Sequence, residues 1–458
     1  MKKWKLGLLT ALLALSMTAC SAKETAAPEA TPTPTAEAEA TPAPTAEPTP
    51  EPTATPEPTP EPIIVTETFQ SLFAKHGIKA GTCLSDYMIK NKKCVEIINE
   101  QFNSITFENH LKPEAVLSKE ESIAANDLVV KFSDTTIALL DWCKENDMSL
   151  RGHTIIWHSQ TPDWIFYEGF DKANGLASRD VMLARMESYI KQTFEKLDEL
   201  GYIEMFYAYD VVNEAWMEDG SKRDSLWLKT IGEDYLWQAF YFADKYAPEH
   251  IDLYYNDYND SNEPKASGIA ALVAEITSHE KDAENPTRID GVGMQAHHNF
   301  GDPTANQIKS AIDKYLAALG EGGVVEMTEF DVKRSSTYDG SAASLASEHA
   351  KQAWRFKEIF DVYRATEAEK PGSVGGITMW GLVDERSWLQ SQGTVGGGST
   401  GGAHAPLLFY IDNYVAKAKP AFYAFFDEYV AELDPFIQSV TVMQQTAEGD
   451  FGKGISYD

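Results

Sequence analysis

Between residues 63 and 436 the chain alternates short apolar runs with amphipathic helical patterns. The runs are 78–84, 104–108, 150–157, 206–214, 251–258, 291–297, 324–331 and 376–380. Most are rich in Ile, Val, Tyr or Met, as strands buried on both faces are, and carry polar residues at or just past their ends. The helical patterns between them include 126–146, 179–200, 225–246, 263–279, 305–319 and 344–365. Strand–helix alternation of this length implies a parallel sheet closed as a (β/α)8 TIM barrel, one catalytic domain. An open doubly wound sheet would want a Gly-rich phosphate turn after its first strand, and none is present. The Gly-rich run 396–402 follows the eighth strand, has no Lys after it, and reads as a flexible loop at the barrel mouth.

The flanks differ in composition. Residues 1–20 read as a bacterial export signal, with Lys2, Lys3 and Lys5 before an apolar run from Leu6 to Leu15. The run is too short to span a membrane comfortably. It closes on Met17-Thr18-Ala19-Cys20, which resembles a lipoprotein signal with Cys20 lipidated, so a cell-surface lipoprotein is expected. Residues 21–62 are nearly all Thr, Pro, Ala and Glu with 12 prolines, a composition that blocks helix and sheet and leaves an extended acidic tether. The tail 437–458 is polar with little periodicity and reads as disordered or as a short extension. The thiols left after Cys20 are Cys83, Cys94 and Cys143, without C-x-x-C spacing, which points to small buried hydrophobes.

The formal net charge is −31, from 39 Lys+Arg against 70 Asp+Glu. Nucleic acid and anionic substrates would be repelled, so a neutral substrate matches best. The strand ends carry groups suited to an uncharged polyol: Glu108-Asn109 and Lys112, then His153, Trp157, His158 and Gln160. Further on come Asn213-Glu214, Asn256-Asp257-Tyr258, Gln295, His297-His298, Glu329, Asp331, Trp380 and Trp388. Barrels of this kind keep their chemistry at the C-terminal mouth of the strands. Two carboxylates delivered to one rim, Glu214 and Glu329, are what glycoside hydrolysis requires.

Several segments resemble glycoside hydrolase family 10 endo-β-1,4-xylanases. They are Phe102-Asn103-Ser104-Ile105-Thr106 with Glu108-Asn109, the stretch from Arg151 to Pro162, and Asp210-Val211-Val212-Asn213-Glu214. The series continues through the stretch from Gly291 to His297, Glu326-Met327-Thr328-Glu329-Phe330-Asp331, and Trp380-Gly381-Leu382 with Ser387-Trp388. The resemblance implies that Glu214 is the general acid/base and Glu329 the nucleophile of a retaining double displacement, their carboxyls about 5–5.5 Å apart. It implies that Glu214 starts protonated near neutral pH and that Glu329 stays ionised, helped by His297, whose tautomer Asp331 would hold. Asn213 would bind the 2-hydroxyl where the bond breaks. Lys112, His153, Trp157, Gln295, Trp380 and Trp388 would line that site, and Glu108 and Asn109 would hold the next sugar. Tyr258, at the end of the fifth run, joins them as a candidate. Phe107, His110, Pro113 and His298 depart from the family pattern, which bears on subsite preference and not on proton transfer.

The expectation is therefore a secreted monomer acting on xylan and xylo-oligosaccharides without cofactor or metal, touching membrane only through a lipid at Cys20. The rival readings are the same barrel on another β-1,4-glycan such as glucan, a non-catalytic surface glycan-binding protein, and a zinc hydrolase using His153, His158, His297 and His298.

Overall fold

A computed structural model describes residues 67–279, 284, 286–333, 342–389, 394–395, 402–412, 415–426 and 456–457. The signal over 1–20, the tether over 21–62, the Gly-rich run up to residue 401 and the tail 437–458, apart from its pair 456–457, lie outside the described residues.

Eight parallel strands form the sheet: β1 (Lys79–Leu84), β2 (Ser104–Phe107), β3 (Ser149–Gly152), β4 (Phe206–Asn213), β5 (Asp252–Asp257), β6 (Gly291–Met294), β7 (Val324–Val332) and β8 (Val374–Met379). They pair in chain order, and β8 pairs with both β7 and β1, so the sheet closes into the expected barrel. Between and after the strands run α1 (Lys92–Gln101), α2 (Asp134–Glu145), α3 (Arg179–Glu199), α4 (Tyr235–Tyr246), α5 (Lys265–Ser278), α6 (Ala305–Leu319), α7 (Ala342–Glu369) and α8 (Pro420–Tyr423). Side-chain caps start several of them: Asn91 for α1, Ser178 for α3, and a Thr304–Gln307 capping box for α6. A short helix, Phe69–Ala74, precedes the barrel. Its Phe69 stacks on Phe422 of α8 at 4.7 Å and its Phe73 on Phe360 of α7 at 5.2 Å, which ties the chain entry to the last helices.

Four elements differ from their sequence reading. The third run is shorter, because the backbone leaves the sheet at His153-Thr154 and rejoins it at Ile156–Trp157 against Val212–Asn213. The sixth does the same around Gln295 and Ala296, and His297–His298 then pairs with Asp331–Val332. The pattern 126–146 yields a helix only from Asp134, where Ser133 caps it, since Val130 is taken by a bridge to Leu117. The pattern 225–246 breaks at Gly232, whose φ of +110° no other residue adopts easily. Cys83, Cys94 and Cys143 are buried and unpaired, as expected of small apolar side chains.

The barrel interior is charged beneath the mouth. Arg151 is fully buried, paired through both terminal nitrogens with Asp210 and through Nε with Glu326 at 3.0 Å. The Tyr254 hydroxyl donates to Glu326 at 3.2 Å. Two register irregularities then redirect the strands that leave this layer. On β4, Asp210 faces Tyr254 and Val212 faces Tyr255, so Val211 is an extra residue, and Asn213 points into the barrel like Asp210. On β7, the pairing with β8 slips between Met327 and Phe330. Glu326 and Thr328 point inward below the slip, and Glu329 and Asp331 point inward above it, while Phe330 packs outward on Phe356 of α7.

Candidate active site

The strand ends surround a cleft of about 820 Å³. Glu214 and Glu329, the two candidate carboxylates, both line it. So do Glu108, Asn109, Lys112, His153 and Trp157 from the first half of the chain. Asn213, Tyr258, Gln295, His297, Trp380 and Trp388 complete the set expected from the strand ends. Asp331 does not line the cleft; it stands behind His297.

Glu214 reaches the cleft through its backbone. In a regular strand it and Asn213 would point to opposite faces. A left-handed φ of +56° at Glu214 ends β4 and turns both side chains into the mouth. Its carboxyl accepts from Trp157 Nε1 at 2.9 Å and from Gln295 Nε2 at 3.0 Å, with His158 Nδ1 at 3.9 Å. Burial and the Arg223 charge hold the His158 imidazole below its ordinary range.

Glu329 is more completely enclosed. Asn256 Nδ2 donates to its Oε1 at 2.9 Å, and His297 Nε2 lies 3.1 Å from Oε2. His153 Nε2 stands 4.0 Å from Oε1, its other nitrogen 2.8 Å from Asp210. Burial alone would raise the Glu329 pKa. The His297 hydrogen bond outweighs it, with the positive charges of His153, His297 and Lys112, and holds the carboxyl at about 2. Burial likewise opposes charge on His297, but Asp331 at 2.9 Å from Nδ1 and Glu329 at Nε2 raise it to about 10. His297 is therefore an imidazolium donating from both nitrogens, rather than one neutral tautomer fixed by Asp331. Trp388 Nε1 donates to the same Asp331 oxygen at 2.8 Å.

A chain of amides spans the two carboxyls. Asn256 Nδ2, which holds Glu329, is 3.0 Å from the Asn213 amide; Gln295 Nε2, which holds Glu214, is 3.2 Å from it. Turned over, the Asn213 amide instead donates to the Asn256 carbonyl at 3.1 Å and accepts from Trp157 Nε1 at 3.2 Å. Either way it faces the gap between the carboxyls. Lys112 closes one side, donating to Gln160 at 3.0 Å and lying 4.9 Å over the Trp157 ring. Burial lowers its pKa against the raising charges of Glu329, Glu108 and Glu214.

Among the described residues no group of three or more His, Cys, Asp or Glu is arranged to hold a metal ion. His298 in particular turns into the protein, where burial holds it neutral at about 3. Asp257, at the end of β5, is paired with Lys265 at 2.8 Å.

Gln160, expected among the polyol-binding groups, and Ser387, part of a family-like segment, also line the cleft, as do Asn259, Lys333, Glu385 and Arg386, to which sequence reasoning assigned no role. Asn259, Lys333, Glu385 and Arg386 lie past the strand ends, where no pattern marks them. Asn256 carried a signal, a polar side chain late in an apolar run, but its bond to Glu329 depends on the β5–β7 placement. The arrangement brings an ionised carboxylate, a second carboxyl and indole rings to one polar groove. That is the equipment for displacement at an acetal carbon.

The comparisons with known proteins agree with this geometry. The Glycosyl hydrolase family 10 model matches residues 68–428. Endo-1,4-beta-xylanase B of Butyrivibrio fibrisolvens is 32% identical over 351 residues, 76% of this chain and 51% of that protein. Endo-1,4-beta-xylanase of Geobacillus stearothermophilus is 34% identical over 327 residues, 70% of this chain and 87% of that one. Among solved structures, the CBM22-1–GH10 modules of Clostridium thermocellum endo-1,4-beta-D-xylanase 10B, complexed with xylohexaose, superpose with a TM-score of 0.66 at 31% identity, covering 78% of this chain and 67% of that one. The chain spans only 51% and 31% of the first two curated relatives, the second being Endo-1,4-beta-xylanase Y of Acetivibrio thermocellus.

Proposed function

The chain belongs to glycosyl hydrolase family 10, and from that premise we propose that it is a retaining endo-β-1,4-xylanase. Glu329 is the nucleophile and Glu214 the general acid/base. In the first step Glu329 forms a bond to the anomeric carbon as the glycosidic C–O bond breaks, and Glu214 gives its proton to the departing oxygen. In the second, water attacks the glycosyl-enzyme, Glu214 takes the water's proton, and Glu329 leaves as a carboxylate. The observation that carries the reading is the pair of carboxyls on one cleft, spanned by Gln295, Asn213 and Asn256, with one of them held ionised by His297.

The substrate side follows from the same cleft. Asn213 faces the reacting centre, Trp380, Trp388 and Trp157 present indoles for stacking, and Glu108, Asn109 and Lys112 offer polar contacts to the adjoining sugar. Xylan and xylo-oligosaccharides, neutral and β-1,4-linked, are the substrates this supports. Glu329→Ala is expected to abolish hydrolysis of xylan, and NMR of the first product is expected to show retained configuration. Inversion would end the mechanism. Faster hydrolysis of carboxymethylcellulose than of xylan would move the assignment to a glucanase, and no turnover of aryl xylobiosides would leave a binding protein. For location, the Met17-Thr18-Ala19-Cys20 site and the Pro-rich stretch after it support a lipid-anchored enzyme held off the cell surface by its tether.

A further inference from the structure

Glu214 owes its place to a turn that its own backbone disfavours. A left-handed φ of +56° strains a residue other than glycine unless its surroundings hold it. Two holds come from β5: the Asn256 carbonyl accepts from Glu214 N at 2.9 Å, and the Tyr255 hydroxyl accepts from Ala215 N at 3.0 Å. The others come from Arg223. Its main-chain N donates to the Ala215 carbonyl at 2.7 Å, its Nε to the Glu214 carbonyl at 2.8 Å, and its Nη2 to the Trp216 carbonyl at 3.4 Å. The same Nη2 donates to the Tyr258 hydroxyl at 2.8 Å. Tyr258 lines the cleft, and the Lys265 ammonium lies 3.8 Å behind its ring, so Tyr258 is itself a braced anchor.

We propose that Arg223 is a positioning residue for proton donation: its guanidinium clasps the Glu214 backbone to Tyr258 and so aims the Glu214 carboxyl at the departing oxygen. The inference rests on the reading of Glu214 as the acid. Arg223 does not line the cleft; it hydrogen-bonds the Glu214 main chain and not its carboxyl, on which its charge acts only through space. Lysine would not replace it, because the guanidinium holds Nε and Nη2 apart in one rigid plane, on the Glu214 carbonyl and the Tyr258 hydroxyl, a spacing that a single ammonium nitrogen does not reproduce.

Aryl β-xylobiosides separate aiming from mere folding. In both, Glu329 forms a bond to the anomeric carbon as the bond from that carbon to the aryloxy oxygen breaks, and the aryloxide leaves with the oxygen. Phenolate needs a proton from Glu214 as it leaves; 2,4-dinitrophenolate leaves without one. Arg223→Met is expected to lower kcat/KM on the phenyl substrate by roughly tenfold or more and on the dinitrophenyl substrate by less than about threefold, general-acid assistance being worth about 100-fold or more when complete. Arg223→Lys should behave as Arg223→Met does. An equal loss on both substrates, or no loss on either, overturns the proposal. Should Arg223→Met fail to fold, Arg223→Gln makes the same comparison, keeping a polar side chain while losing the fork that joins the Glu214 carbonyl to Tyr258. A selective loss on the phenyl substrate supports the clasp, and an equal change or none overturns it. If the unaltered enzyme turns over neither substrate, the glycosidase reading itself has failed, and not this one.

Discussion

Replacing His297 by Gln should move the acid limb of the pH–rate profile. The substitution removes a buried positive charge but leaves an amide donor near Glu329. In the native site His297 Nε2 lies 3.1 Å from Glu329 and Nδ1 2.9 Å from Asp331. A hydrogen bond to a charged group contributes about 1.5–3 kcal/mol. Since about 1.4 kcal/mol displaces a titration by one pH unit, Glu329 should rise by about 1–2 units from its native value of about 2. It should stop there, because His153 and Lys112 still oppose burial. The nucleophile must be ionised, so kcat/KM for an aryl xylobioside should begin to fall at a pH higher by the same amount. An active variant whose acid limb stays in place would refute the account of how Glu329 is kept ionised. The same pair bears on folding, and its two shifts describe one interaction, counted once. The depressed Glu329 pKa contributes stability that is present above 4.5 and lost as pH falls towards about 2. The raised His297 pKa contributes stability that is full below 6.5 and lost as pH rises through about 10. The melting-temperature gap between native protein and variant should therefore be widest between pH 4.5 and 6.5 and narrow on both sides.

Three other outcomes are expected. Arg151→Met strands Asp210 and Glu326 without a cation in the barrel interior; urea unfolding at pH 7 should show a loss of about 3–5 kcal/mol, and a loss below about 1 kcal/mol would mean the trio is not needed. Trp157→Phe removes the indole donor to Glu214 Oε2, and kcat/KM on xylobiosides should drop about tenfold or more with the fold intact by circular dichroism. Cells expressing the protein should incorporate labelled palmitate, and Cys20→Ser should abolish the label; an unlabelled native protein would remove the lipid anchor.

Much of this architecture could be read from residue order. Strands buried on both faces appear as unbroken apolar runs, so all eight are visible with their order, and most of the polar residues ending them fall around one cleft, with Asp331 and His298 turned away from it. What escaped was geometry that depends on register. Arg151, Asp210 and Glu326 sit inside three separate runs, and nothing local tells an inward charge from an outward one. Asn256 gains its contact with Glu329 only because β5 and β7 both flank β6. The bond from Arg223 to Tyr258 joins residues 35 positions apart on two loops, for which the chain offers no periodic signal. The short third and sixth strands were overestimated because His153 and Gln295 leave the ladder to face the cleft, and the apolar pattern resumes just beyond them.

The slip in β7 between Met327 and Phe330 makes the strand's residue count at that point critical. Below it the strand keeps step with the ionic floor; above it the strand keeps step with the sugar. Deleting one residue there would spare the apolar run yet swing Glu329 and Asp331 towards the helical shell. A one-residue deletion between Met327 and Phe330 should therefore abolish activity, whereas the strand's length before Val325 sets nothing at the mouth.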